Sequence, residues 1–430
     1  MADGIRDKKL LILGANPETT PLVDVANRMG VLTYVTSNRA DDAAKQHAHV
    51  ACGVDGLDVE GLVELVRRER IDGVLVGVAD LLVPVYAEVC QRLGLPCYAS
   101  VETCRMLSQK DEFQRACEEY GLKGIPRFEL SADFRSEELA QVRYPLVVKP
   151  VDGCSGQGMT ICRNDGELRA GVRKALEFSR CKRFLAERYM QCDDVGIYYT
   201  FKDGECSVSC LYDRHTTDEQ AGLGRVNLGS VYPSKHLDAY YSRVHGKALR
   251  MFKSMGIRNG VLLISAFVED GEFYLYDPGF RLQGEAPHLL MRAIHGFDQR
   301  EMLVSFALTG SMGSVNLDKE DDCRFRGKSA ATLWFLLKPG KIADIRGLDG
   351  IVGTNGVMEN VQRFREGDEI QPEWAGTEKQ VLTRLYLVCD SVDSLKGCID
   401  ECLARVRVSD AEGRNMLLKG LNTAKSFIQR

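Results

Sequence analysis

Through the first hundred residues, short apolar runs alternate with segments whose apolar residues recur every three or four positions. KLLILG, VLTYVTS, GVLVGV and LPCYA have the length and the β-branched or leucine-rich character of buried strands. Between them TPLVDVANRMG, LVELVRRERI and LLVPVYAEVCQRLG each carry one apolar face and read as helices. This alternation predicts βαβ units and a parallel sheet.

The pattern changes after residue 105. Ser108, with Asp111 three residues on, predicts a capped helix through Lys110, Phe113 and Ala116 that stops at Gly121. A strand in YPLVVKPVDGCSGQGM, a helix over NDGELRAGVRKALEF and a strand at RFLAERYM follow. The turn residues Asp203-Gly204 join IYYTFK to ECSVSC as a hairpin, and Asp270-Gly271 join VLLISAFVE to EFYLYD as a second. A long helix from about His236 to Met255 separates the two hairpins, and the helices APHLLMRAIHG and DQREMLVSFALTG close the unit at Gly310. From Arg324 onward ATLWFLL, a Pro339-Gly340 turn, KIADIRG, QVLTRLYLVC, a helix through SLKGCIDECLARV and VRVSD read as a small α+β domain. REGDEIQPEWAG is the expected exposed loop. Three domains are predicted, over residues 1–105, 106–320 and 321–430.

Composition narrows the class. A chain of 430 residues that is 44% hydrophobic and 27% charged can build several cores, which excludes a disordered protein. The formal net charge of -5 argues against a general binder of nucleic acid or anionic membrane, yet permits a local basic pocket for a charged small molecule. The apolar run from Leu10 to Gly14 is too short for a signal-peptide core. The most apolar stretch, GVLVGVADLLVPVYAEV, is interrupted by Asp80, Pro84 and Glu88, so no membrane span is expected. Fifteen cysteines, an odd number scattered from Cys52 to Cys402, read as reduced thiols packed in the core of a cytoplasmic protein. No CxxC occurs and the spacings Cys206/Cys210 and Cys398/Cys402 are wider, which gives a zinc site little support.

Gly14-Ala15-Asn16 lacks the GxGxxG fingerprint, so the first domain is expected to be Rossmann-like and to serve packing or substrate placement. No Walker A sequence occurs. In VVKPVDGCSGQGM a strand instead delivers Lys149 and then Gly153, Ser155, Gly156 and Gly158, a loop able to lay backbone N–H groups on phosphate oxygens. Taken alone, this stretch reads equally well as a glycine-rich hairpin turn with an exposed lysine. FYLYDPGFRLQG ends an apolar strand on Asp277 and Arg281 with Gly279 between them, which in isolation is a strand and a turn.

The order of these features, a lysine on an early helix, a strand lysine before a glycine loop, a hairpin, and acid-x-x-x-Arg, resembles the ATP-grasp superfamily of carboxylate-amine ligases. The three-part layout is similar to that of biotin carboxylase and carbamoyl-phosphate synthetase relatives. The resemblance implies an α/β fold with a Rossmann-like N-terminal domain, an ATP-grasp α+β domain and a small α+β C-terminal domain. It implies that Lys110 and Lys149 bind ATP phosphates beneath the loop of Gly153, Ser155, Gly156 and Gly158. It further implies that Glu187 ends the hinge strand, that the backbone of Met190 meets adenine, and that Asp194 replaces the usual glutamate at the ribose. Where the family ends a late strand in Glu-x-Asn-x-Arg, this chain has Asp277-x-Gly279-x-Arg281, and Ser265 stands where a second acid is usual. Asp277 is then the anchor for Mg²⁺ or Mn²⁺, with Glu269 and Glu285 as helpers, and Arg281 grips a carboxylate or acyl phosphate through its planar fork. Asp213, Arg214, His215, Arg225, Lys235 and His236 are further candidates for substrate contact, and His288 for a helix cap or a base.

The implied activity joins a small-molecule carboxylate to an amine through an acyl phosphate, releasing ADP and phosphate. Relatives of this layout are often homodimers. Two alternatives stand beside it. The missing asparagine and upstream acid motivate a nucleotide-binding sensor or scaffold without catalysis. A biotin carboxylase relative using bicarbonate fits the architecture but not the metal strand, and the chain shows no biotin-carrier segment.

Overall fold

A computed structural model describes residues 4–152, 158–219, 224–354 and 356–427. Near the N-terminus, Lys9–Leu13, Leu32–Thr36, Val50–Cys52 and Gly73–Val76 form a four-stranded, wholly parallel sheet, with the third and fourth strands at the two edges. Leu10 to Leu13 are fully buried, as expected for a parallel strand covered on both faces. The predicted helices are Thr20–Arg28, Val59–Glu69 and Val83–Leu93. A fourth helix, Gln299–Thr309, arrives from far along the chain and packs on the same sheet. Gly73 permits this, because a Cβ there would lie 2.3 Å from the carbonyl oxygen of Ala307.

Two expectations in this region need correction. LPCYA is not a strand: it leads into a helix over Val101–Ser108, whose cap is Ser100, accepting from the Thr103 N–H at 3.0 Å. Ser108 therefore caps nothing. It closes that helix and donates its hydroxyl back to the Cys104 carbonyl at 2.6 Å, while the next helix, Lys110–Glu119, starts at Gln109 without a side-chain cap. The edge strand Val50–Cys52 is not predicted from the sequence: it is only three residues long with two of them exposed, too short for a period to show.

The largest sheet has nine strands. In spatial order they are Val357–Gln362, Val381–Cys389, Ser329–Leu336, Asn227–Tyr232, Glu205–Thr216, Asp193–Lys202, Gly260–Glu269, Glu272–Gly279 and Lys123–Gly124. Strands from both sides of residue 320 thus share one hydrogen-bonded sheet, joined where Asn227–Tyr232 pairs with Ser329–Leu336. Asp203-Gly204 and Asp270-Gly271 have positive φ, which makes the two predicted hairpin turns. The helix expected over 236–255 is broken into Leu237–Tyr240, a π-turn at Tyr241–His245, and Gly246–Ser254. A smaller four-stranded sheet, Arg127–Phe128, Phe184–Arg188, Leu146–Pro150 and Thr160–Cys162, is backed by helix Asp165–Phe178, which Asn164 caps. Among the described residues no helix is long and apolar enough to cross a membrane.

Candidate functional site

The small sheet supplies the first half of the site. Alternation along Leu146–Pro150 buries Leu146 and Val148 and leaves Lys149 facing the cleft side, where its Nζ lies 2.5 Å from Glu187 Oε2. Glu187 is only 2% exposed and also accepts from Gln114 Nε2 of helix Lys110–Glu119 at 3.3 Å. Lys110, at the start of that helix, reaches Asp277 Oδ1 at 3.2 Å. Asp277 is 53% exposed.

What brings these groups together is a β-bulge. Strand Glu272–Gly279 pairs Leu275 with Ala266 but Asp277 with Ser265, so Tyr276 is an extra residue. A bulge re-aims side chains at a strand end. Tyr276 therefore donates its hydroxyl to Asp194 at 3.3 Å while its ring lies 6.0 Å from Lys149 Nζ, and Asp277 meets Lys110. The strand position opposite Asp277 holds Ser265, the residue that the family resemblance set there; counting outward from Glu269 and Glu272 would give Ile264, and the bulge makes the difference. Among the described residues no group of three or more His, Cys, Asp or Glu is placed to hold a metal ion.

A second bulge decides the partner of Asp194. Counting outward from the turn where Lys202 faces Glu205 sets Asp194 opposite Asp213, but a register shift at Tyr198/Tyr199 moves it opposite Arg214. Arg214 Nη1 donates to Asp194 at 3.0 Å, and its Nε lies 3.5 Å from Glu285 Oε1. Tyr212 donates to Glu285 Oε2 at 3.2 Å, lying across Gly196, where a Cβ would be 2.2 Å from its ring. Burial pushes the carboxyls of Asp194 and Glu285 up, and the Arg214 guanidinium opposes it. Arg214 is thus a buried counter-ion rather than a free substrate ligand, and Glu285 is committed to it rather than to Asp277. Glu269 is likewise turned away, to Arg188.

The remaining predicted residues fall into three groups. Met190 is buried, its sulfur 3.1 Å from Arg188 Nε. Gly158 has φ +73, and a Cβ would lie 2.8 Å from both Phe178 Cβ and Pro150 Cγ, so a side chain there is excluded. Gly153, Ser155 and Gly156 lie outside the described residues. Asp213 accepts from Ser234 Oγ and the Lys235 N–H, and Arg225 lies 3.8 Å from Glu219. Lys235 and His236 both pair with Asp193, the His236 contact being the larger influence that holds its carboxyl down at about 2. His288 begins helix His288–His295 without capping it, and burial pushes its imidazole down to about 3, which keeps it neutral.

Arg281 is the most constrained. Its Nη1 donates to the Leu282 carbonyl at 2.9 Å and to Gln283 Oε1 at 2.7 Å, and its Nη2 to Asp80 Oδ2. Asp80 sits in the one-turn helix Asp80–Leu82, just past the carboxyl end of the parallel strand Gly73–Val76, where open α/β sheets place their ligands. A Cβ on Gly279 would come within 3.1 Å of Asp80 Oδ1, so Asp80 crowds the space in which an amide side chain would stand. In the sequence Asp80 is only an interruption of an apolar run, since its partner is 201 residues away.

The family model described as "Carbamoyl-phosphate synthase L chain, ATP binding domain" matches residues 109–312. The formate-dependent phosphoribosylglycinamide formyltransferase of Ignicoccus hospitalis is 28% identical over 241 residues, covering 54% of this chain and 56% of the relative. The chain spans about half the length of the curated relatives it matches first. Among solved structures, the L-amino acid ligase from Bacillus licheniformis superposes with a TM-score of 0.76 at 18% identity, covering 94% of this chain and 99% of that one. Phosphoribosylglycinamide synthetase from Anaerococcus prevotii gives a TM-score of 0.72 at 16% identity, again over 94% and 99%.

Proposed function

We propose that the chain is an ATP-grasp, ATP-dependent ligase joining a small-molecule carboxylate to an amine, a reading supported by the match of residues 109–312 to the ATP-binding-domain family and by the superposition on an amino acid ligase. The observation that carries the reading is the convergence of Lys149 and Lys110, from two different elements, on the bulged strand that runs on to Arg281. In this reading residues 1–105 and 321–430 flank a nucleotide domain over 106–320, and the protein is a cytoplasmic homodimer.

Lys149 and Lys110 offset charge on the ATP phosphates, and Gly153, Ser155, Gly156 and Gly158 are the further phosphate ligands of this reading. Glu187 holds Lys149 in place, the backbone of Met190 meets adenine, and Asp194, braced by Arg214 and Tyr276, faces the ribose. Asp277 would hold Mg²⁺ or Mn²⁺, which would supply charge neutralisation at the phosphates. Its exposure and its ion pair with Lys110 at 3.2 Å suit a group that exchanges a cation for a ligand. Arg281 orients the substrate carboxylate, whose oxygen takes the γ-phosphoryl group as ADP leaves. The amine then attacks the acyl carbon. The C–N bond forms, the C–O bond to phosphate breaks, and the amine loses a proton.

The test is ADP release by the purified protein with ATP, Mg²⁺ or Mn²⁺, and pooled amino acids and small carboxylic acids, beside Asp277→Asn. Substrate-dependent ADP that disappears in the variant is the expected result. Tight ATP binding without ADP from any pool would favour the second reading, a nucleotide sensor, which the hydroxyl of Ser265 opposite Asp277 supports.

A further inference from the structure

Strand Val381–Cys389 lies in the C-terminal part of the chain and lends no side chain to the cleft as described above. Two of its residues nevertheless grip the loop that carries Arg281. Residues two apart on a strand share a face, and Arg384 and Tyr386 use that spacing to reach consecutive carbonyls, Gly284 O at 2.5 Å and Glu285 O at 2.9 Å. Arg384 is 2% exposed, lies 4.1 Å over the ring of its cross-strand partner Trp334, and donates its Nη2 to Glu378 at 3.2 Å. At the other end of the loop, Tyr98 donates to the Phe280 carbonyl at 3.3 Å, and Asp80 accepts from Arg281. Ala286 stands at φ +54, a left-handed conformation costing a non-glycine residue about 1 kcal/mol, so the loop is strained and needs outside support.

Because Arg281 is bound by its own loop, through Leu282 O and Gln283, the loop's path sets the guanidinium's direction. We propose that Arg384 and Tyr386 are positioning residues for Arg281: the C-terminal strand holds the substrate-gripping arginine by its backbone and never touches substrate. The inference rests on the reading of Arg281 as the carboxylate ligand. Lysine cannot replace Arg384, since an ammonium lacks the planar fork that both stacks on Trp334 and donates to two acceptors.

The test uses the full chain with Arg384→Lys and Tyr386→Phe. Hydrogen exchange is read at the Ala286 amide, which donates to Gln283 O at 3.0 Å, together with ATP affinity and substrate-dependent ADP release. The expected result is exchange faster by about tenfold in 282–287 alone, as for loss of one hydrogen bond, with kcat lowered about tenfold or more, Tyr386→Phe the milder, and ATP affinity unchanged within about twofold. Unchanged exchange and turnover in folded variants overturns the proposal. So does a parallel fall in melting temperature, ATP affinity and protection across the whole chain, which marks a merely structural role. If the wild type itself releases no ADP with any pool, the ligase reading fails, and local exchange alone decides whether the strand holds the loop.

Discussion

Two lysine–carboxylate pairs face the same cleft and differ in what surrounds them. Lys149–Glu187 is short and almost closed off, its acid 2% exposed, whereas Lys110–Asp277 is longer and its acid is 53% exposed. Removing one partner from a buried pair strands a charge in a poor solvent for it, while an exposed pair is screened and worth little. The buried pair therefore fixes Lys149 in place, and under the proposed function it presets that lysine for the nucleotide. Under the proposed function the open pair is a placeholder, Lys110 and Asp277 neutralising each other until phosphate and metal separate them.

The contrast can be broken at either pair. Glu187→Leu leaves Lys149 without its counter-charge and is expected to cost about 3 kcal/mol in urea unfolding; a loss no larger than that of Asp277→Asn would erase the distinction. Lys149→Met should weaken ATP binding by about 2 kcal/mol, roughly thirtyfold, in titration calorimetry, the scale of a charged hydrogen bond. Gly158→Ala tests the base of the loop beside Lys149: the left-handed backbone and the contact with Pro150 and Phe178 predict a loss of about 1–2 kcal/mol of stability. Asp277→Asn should change stability by less than about 1 kcal/mol and yet abolish the ADP release that divalent cation supports. A variant that still turns over with Mg²⁺ would show that Asp277 is not the metal anchor.

The parts of the site legible in the sequence are those governed by local pattern. Lys149 at a strand end, the glycine after it, and the turns at Asp203-Gly204 and Asp270-Gly271 all follow from spacing along neighbouring segments. The bulges do not. One at Tyr276 turns that ring toward Asp194, and one at Tyr198/Tyr199 gives Asp194 an arginine where simple counting gives Asp213. Neither leaves a turn residue or a break in alternation to mark it. Partners far apart in the chain are equally silent: Asp80 with Arg281 and Arg384 with Gly284 depend on how the sheets are assembled. The nine-stranded sheet shows the same limit, since alternation identifies Ser329–Leu336 as a strand but not Asn227–Tyr232 as its neighbour.

Transfer of a phosphoryl group to a carboxylate leaves a label that no other route to ADP leaves. We would supply the pooled acids with ¹⁸O in their carboxyl groups, add ATP, divalent cation and amines, and weigh the inorganic phosphate released. Phosphate carrying one ¹⁸O from the acid, formed in step with ADP, is the predicted result. ADP accompanied only by unlabelled phosphate would mean that water, not a carboxylate, takes the γ-phosphoryl group, and would contradict the account.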